Sequence, residues 1–236
     1  MMEPLTYRPI ADPKTKTYAR NVSGTDTLLG AMKLFFRFPT PRLILVKILA
    51  ALAVRLWVGG WSAWDVPVVL AVCVYWPFQE WLFHMVLLHF KPRRLFGWVF
   101  DPAPARTHRY HHLNPDLLET TFIPWFAITC IIPVNVLLWF LMMPTLEMAC
   151  TGILFFSCAA LIYEWVHYLA HTPYKPKTVY FQKVCRNHRL HHFKHEAYWH
   201  AFTVPFVDTI FGTNPDPATV SKSKTVKTLG VHADRM

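Results

Sequence analysis

Four long apolar stretches leave this chain few folds to choose from. They run from Leu43 to Gly60, Val66 to Phe90, Phe122 to Met143 and Leu146 to Ala170. A helix needs about 20 apolar residues to cross a bilayer, within a range of roughly 17 to 25. The last three stretches meet that requirement. The first is marginal because Lys47 and Arg55 interrupt it, so a tilted or partly interfacial helix with a snorkelling Arg55 is expected. Hydrophobic residues make up 53% of the 236 and charged residues 16%, against about 25% charged in a soluble domain. That balance excludes both a soluble globular domain and a disordered chain.

The linkers within each pair of stretches, GGWSAWD and the turn at Pro144, are very short, so each pair is expected to fold as a helical hairpin. Lys and Arg then set the orientation. Residues 1–42 carry seven, the 91–118 loop five, and the tail after Thr172 ten, whereas the opposite ends offer only Asp65 and Glu147. Both termini and the central loop are therefore expected in the cytosol. The formal charge of +10 is spread over these three segments as topology predicts, and does not point to nucleic acid. It suits anionic headgroups or an acidic electron-transfer partner.

The expected organisation is a cytosolic or interfacial segment at 1–42, a membrane-embedded domain at 43–213 and a polar, loosely ordered tail at 214–236. Within the first segment, Thr25–Phe38 has Leu28, Leu29, Met32, Phe35 and Phe36 at helical spacing behind an N-cap at Thr25 or Asp26. An interfacial amphipathic helix and an ordinary packed helix are both open. The first twenty residues lack a charged-then-apolar signal pattern, so the first apolar run is expected to stay in the mature protein. The cysteines (Cys73, Cys130, Cys150, Cys158, Cys185) show no CxxC spacing, which argues against a disulfide framework or a thiolate zinc site.

Histidine is the compositional anomaly. There are 13, almost as many as the 14 acids, and all but His232 fall between His84 and His200. Ten form four clusters at or just beyond the expected cytosolic ends of the apolar runs: His84 and His89 in HMVLLH; His108, His111 and His112 in HRYHH; His167 and His171 in HYLAH; His188, His191 and His192 in HRLHH. Residues three or four apart share a helix face. The second, third and fourth clusters therefore each aim their imidazoles together, while His84 and His89, five apart, either straddle a face or include a residue beyond the helix end. Ten imidazoles exceed what one ion can use and suit two, each taking four or five nitrogens.

Neutral imidazole is a borderline ligand for Zn, Cu, Fe and Ni. A pair of imidazole-held ions fits redox-active iron and oxygen chemistry, and differs from carboxylate-bridged bundles built on repeated Glu-x-x-His pairs. A lone interfacial histidine is usually polar packing, but four clusters on one side of the membrane favour a metal site. His195 and His200 stand outside the doubled pattern, where supporting or substrate-facing roles are expected; His232 reads as a solvated tail residue.

The order HX4H, HX2HH, HX3H, HX2HH resembles the fatty acid hydroxylase superfamily, and within it the fatty acid 2-hydroxylases. EWLFHMVLLHF, HRYHHLNP, YEWVHYLAH, and HRLHHF followed by FVDTIFGT carry the likeness, over roughly residues 75 to 213. The resemblance implies an all-α integral membrane protein: four transmembrane helices in two hairpins under a cytosolic helical cap that holds a His-rich dimetal site. It implies hydroxylation of an acyl chain, at C2 for the nearest members, with O2 as co-substrate and two iron ions as cofactor; a purified sample can carry zinc instead. The ligands it implies are His84, His89, His108, His111, His112, His167, His171, His188, His191 and His192.

Glu164, one turn before His167, is the candidate catalytic carboxylate. It orients a ligand imidazole or balances metal charge in one reading, and forms a helix-end salt bridge in the other. Asp208 is expected to cap or support; Asn114 and Asn187 flank clusters, where turn formation explains them equally well. Trp76, Phe78, Trp81, Phe83, Tyr198 and Trp199 suit either a lipid channel or, for most of them, an interfacial aromatic belt.

Two departures from the family pattern stand out. The first 42 residues carry no cytochrome b5-like haem segment, so a separate electron donor is expected, such as cytochrome b5 or a ferredoxin-type protein with its reductase. The aromatic-Gly run common in the family reads Tyr198-Trp199-His200-Ala201 here, and Tyr198, Trp199 and His200 are the candidate substrate-binding residues. The substrate is expected to come from the membrane, and the protein to sit in the endoplasmic reticulum of a eukaryote or the inner membrane of a bacterium. A sterol, carotenoid or other lipid hydroxylase or desaturase of the same superfamily is the sibling reading. A metal transporter is the reading from another class, disfavoured because transporters place ionisable residues near mid-span.

Overall fold

The computed structural model describes residues 24–231. It is mostly helical. In chain order the principal helices are α1 (Leu28–Phe35), α2 (Pro39–Val58), α3 (Asp65–Leu82), α4 (Ala103–Leu113), α5 (Trp125–Met142), α6 (Leu146–Ala170), α7 (Val179–Phe193) and α8 (Phe206–Ile210). A two-stranded antiparallel hairpin, β1 (Arg93–Leu95) and β2 (Trp98–Phe100), precedes α4.

Among the described residues, three segments are long and apolar enough to cross a membrane: Asp65–Leu88, Leu118–Met142 and Leu146–Ala170. They coincide with the second to fourth apolar stretches. Helix α2 has the length, at 20 residues, but Arg42, Lys47 and Arg55 keep it less apolar than these three.

Helix α6 is the hub, touching α1, α2, α3, α5 and α7. Its buried residues in the first half include the small side chains of Ala149, Cys150, Thr151, Gly152 and Ser157, which let neighbouring helices come close. Trp139 of α5 lies over Gly152 so tightly that a Cβ there would stand 2.2 Å from the indole. One core layer gathers Ala51, Val68, Val72, Trp139, Ile153 and Leu154. A second, towards the histidine end of α6, gathers Ala31, Phe35, Phe38, Leu118, Phe122, Tyr168 and Leu169.

Arg55 does not snorkel. It is fully buried, 2.9 Å from Asp65 at the start of α3 and 2.9 Å from Thr151 Oγ1, and it also donates to the Gly60 carbonyl at 3.0 Å. An ion pair across the α2–α3 turn satisfies the guanidinium without a route to water.

Helix α1 begins one or two residues later than expected: Thr27 Oγ1 accepts from Gly30 N at 3.1 Å and forms the N-cap. Ala31 and Phe35 pack into the core while Leu28, Leu29 and Met32 are exposed, so the helix buries one apolar face and shows another. The tail also differs from expectation. Val226, Leu229 and Val231 are buried, and Ser223 N donates to the Lys194 carbonyl at 2.8 Å, so its apolar residues anchor it beside α7. His232 lies outside the described residues.

Candidate metal centre

The four clusters reach the site on four separate elements. Beyond Leu82 helix α3 widens into a π-helical turn, Phe83–Leu88, closed by His89 N donating to His84 O at 3.2 Å. An i→i+5 turn brings residues five apart onto one face, which resolves the spacing that an α-helix cannot. Helix α4 carries the HRYHH cluster, the end of α6 carries His167 with His171 at its C-cap, and α7 carries HRLHH behind an N-cap at Thr178.

Ring nitrogens from these elements converge in two groups, in each of which the candidate ligand atoms lie within 4.8 Å of one another. His84, His89, His108, His112 and His191 form the first; His111, His167, His171, His188 and His192 form the second. Each HX2HH cluster is split between them. Helix α4 sends His108 and His112 to the first group and His111 to the second, and α7 does the reverse with His191 against His188 and His192. His89 and His171 are half-buried and the other eight are buried.

Proton counting favours cations at both positions. His84 Nδ1 lies 2.7 Å from the His200 carbonyl, His112 Nδ1 3.0 Å from that of Val226, and His191 Nδ1 2.8 Å from that of Tyr198. A carbonyl only accepts, so these Nδ1 atoms hold the proton and each neutral ring presents a bare lone pair at Nε2. His111 follows the same rule: Thr120 Oγ1 spends its proton on the Leu117 carbonyl at 2.6 Å and accepts from His111 Nδ1 at 3.0 Å.

His108 Nε2 nevertheless stands 3.1 Å from His84 Nε2, 3.2 Å from His89 Nε2 and 3.2 Å from His112 Nε2. One N–H cannot serve three acceptors. Metal–imidazole bonds of about 2.0–2.1 Å put two nitrogens on one ion roughly 2.9–3.4 Å apart, close to these separations. In the second group His167 and His111 Nε2 are 3.2 Å apart, His171 and His188 Nε2 2.7 Å apart, and His192 Nε2 is buried with no hydrogen-bond partner.

Burial, the largest cause, and the neighbouring rings push His108, His111, His112, His188 and His192 well below the usual histidine range. Burial takes His191 down to about 4 and His171 down to about 3. All are therefore neutral near pH 7, which is the form that binds metal.

Two carboxylates support the loop that closes over the groups. Glu80 accepts from Phe202 N at 2.5 Å, Thr203 N at 2.8 Å, Thr203 Oγ1 at 2.7 Å and Trp76 Nε1 at 3.2 Å. Asp208 accepts from His200 N at 2.9 Å, Ala201 N at 3.0 Å and Thr213 Oγ1 at 2.6 Å. The Phe202 ring so held lies 4.7 Å from His84, 4.7 Å from His167 and 4.8 Å from His188, touching both groups. Asp208 fits the supporting role expected of it. Glu80 and Phe202 were not foreseen, because their partners lie more than a hundred residues apart in sequence; a carboxylate inside an apolar span was the available signal.

The remaining candidates sort by position. Glu164 is buried; its Oε1 accepts from Ile123 N at 3.1 Å and its Oε2 has no partner among the described residues, so it forms no salt bridge there. His200 is buried with its ring centroid 5.2 Å from His84, 5.3 Å from His89 and 5.2 Å from His191, beside the first group but outside it. Tyr198 supplies the carbonyl that orients His191, and Trp199 is buried at a φ of 58°. His195 lies 3.7 Å from Glu196 and outside both groups. Asn114 caps α4 and donates to the Tyr110 carbonyl at 3.1 Å; Asn187 is buried. Trp81 is buried while Phe78 and Phe83 are exposed, so the aromatics divide between packed and outward-facing positions.

No curated protein and no solved structure matches this chain. A family model does, described as fatty acid hydroxylase, over residues 69–213. That match spans all four histidine clusters and more than half of the sequence: the chain belongs to the fatty acid hydroxylase family.

Proposed function

We propose that the protein is a membrane-bound, O2-dependent hydroxylase that acts at C2 of a fatty-acyl chain, with one iron held by each histidine group. The partition of ten histidines from four segments into two groups of five carries this reading. In it, His84, His89, His108, His112 and His191 hold one iron, and His111, His167, His171, His188 and His192 the other. Two irons held there supply the activation of O2 with two electrons, one oxygen atom entering a C–H bond and the other leaving as water. Zinc can occupy the same nitrogens in a purified sample.

The chain's own residues do the positioning. The carbonyls of Tyr198, His200 and Val226 fix the tautomers of His191, His84 and His112 and aim Nε2 into the first group. Glu80 and Asp208 hold the loop that lays Phe202 across both groups and excludes water from them. Tyr198, Trp199 and His200 lie on the same loop and form the substrate side in this reading. Glu164, buried one turn before His167 on α6, is the carboxyl that orients that imidazole in this reading.

Helix α2 serves as the fourth span, paired with α3 as α5 is with α6, and both termini, the central loop and the histidine groups face the cytosol. The membrane is the endoplasmic reticulum in a eukaryote or the inner membrane in a bacterium. Substrate comes from the bilayer, and electrons from a separate donor such as cytochrome b5 or a ferredoxin-type protein.

The test is expression in a lipid-producing host with mass spectrometry of its lipids, against His188→Ala. The expected result is acyl chains one oxygen heavier, with fragmentation placing the hydroxyl at C2, absent in the variant. Oxygenation of a sterol or carotenoid instead moves the substrate within the family. Metal flux with no oxygenated lipid overturns the enzyme reading in favour of a transporter.

A further inference from the structure

The hairpin between the second span and α4 ends in an aromatic tip exposed to its surroundings. Phe96 is 101% exposed and Trp98 81%, and Phe100 is also exposed. The turn residues Phe96 and Gly97 have φ of 51° and 82°, the positive pair of a type I′ turn. Glycine or asparagine meets that geometry at little cost, whereas a bulky side chain is strained there. An exposed phenylalanine in the strained position gains nothing from water and nothing from the fold.

The base of the hairpin is fixed. Asp101, just past β2, pairs with Arg109 of α4 at 2.5 Å, and Phe90 meets Phe100 with ring centroids 5.6 Å apart. The register Arg93↔Phe100 and Leu95↔Trp98 puts Trp98 and Phe100 on the face that also carries Arg93. Lys91, Arg93 and Arg94 are exposed, and Asp101 is already neutralised by Arg109.

We infer that this hairpin inserts its aromatic tip into the headgroup layer of the bilayer that the protein itself spans, and that Lys91, Arg93 and Arg94 bind anionic headgroups there. The span Asp65–Leu88 ends five residues before Arg93, a distance of at most about 18 Å fully extended, so the hairpin stays near the membrane boundary. Aromatic side chains favour that layer and cations near it are drawn to anionic lipid. The order along the hairpin fits a bilayer better than an acidic protein: the apolar tip is outermost and the cations lie behind it, at headgroup depth once the tip is buried. The inference concerns membrane seating and holds whatever the substrate.

The test uses the full-length protein in nanodiscs of phosphatidylcholine with and without phosphatidylglycerol. Emission from Trp98 is isolated by subtracting the Trp98→Phe variant. In anionic discs Trp98 is expected to lose most of its emission to brominated lipid and to be shielded from acrylamide. Phe96→Asn, which relieves the turn and so preserves the fold, combined with Arg93→Ala and Arg94→Ala, is expected to restore acrylamide quenching and abolish quenching by brominated lipid. Trp98 quenched by acrylamide and untouched by brominated lipid in both compositions overturns the inference and leaves the hairpin to a soluble partner. Equal quenching by brominated lipid in neutral and anionic discs overturns it as well, because the basic residues then play no part.

Discussion

Four of the clustered imidazoles, His84, His111, His112 and His191, have a neighbour that decides where the proton sits. Because burial holds His108, His111, His112, His188 and His191 below the ordinary histidine value of about 6.5, the unfolded chain binds more protons than the folded one in acid. The metal-free protein therefore keeps this contribution to stability above pH ~6.5 and loses it as pH falls towards the folded-state values. Thermal unfolding of chelated protein across that range is expected to show a falling Tm, and metal-loaded protein a higher Tm whose fall is at least as steep, since protons compete with metal for the same nitrogens.

Glu80 acts at the same scale. Glu80→Gln keeps an acceptor for Phe202 N and Thr203 N but replaces Oε2, which accepts from Thr203 Oγ1 and Trp76 Nε1, with an NH2 that only donates, leaving a buried donor unmet at a cost of about 1–3 kcal/mol. It is expected to lower Tm and loosen metal retention together, read by calorimetry and by metal loss on dialysis. The ten histidines were legible because their spacing repeats; Glu80 was not, because nothing local ties it to a loop more than a hundred residues downstream.

At the scale of elements, the π-turn at Phe83–Leu88 decides whether His84 and His89 can serve one ion. Inserting one alanine after Val86 sets His84 and His89 six apart, a spacing that neither an α-helical nor a π-helical turn brings to one face, and is expected to rotate His89 off the first group. Metal content then falls by the share of that group while helicity by circular dichroism is retained. The HX4H spacing signalled an irregularity, and the hydrogen bond from His89 N to His84 O supplies its cause.

The opposite end of the bundle depends on Arg55. Arg55→Ala leaves Asp65 buried without its partner, at a cost of about 3–5 kcal/mol. Arg55→Ala with Asp65→Ala is expected to cost less than Arg55→Ala alone, measured by unfolding in detergent. A snorkelling arginine was the natural expectation from sequence. Recognising Asp65 and Thr151 as its partners required the α2–α3 turn and the small buried residues of α6 in three dimensions.

For the molecule as a whole, hydropathy reveals three spans cleanly and leaves α2 ambiguous, because charge within a helix reads as water exposure until its partners are known. Lys47 meets Asn135 of α5 at 2.6 Å, and Arg55 meets Asp65. The packed tail was hidden for a related reason: its few apolar residues lie among lysines, serines and threonines, yet Val226 both buries its side chain and supplies the carbonyl that orients His112.

What joins these scales is the division of ten histidines into two groups, each proposed to hold one metal ion. Metal counting on purified protein loaded with iron under reducing conditions tests it directly. Two ions per chain are expected for the unaltered protein, one for each group, and one ion per chain for His84→Ala with His191→Ala, with the second group still filled. A single ion in the unaltered protein, or a count that the paired substitution leaves unchanged, would contradict the account.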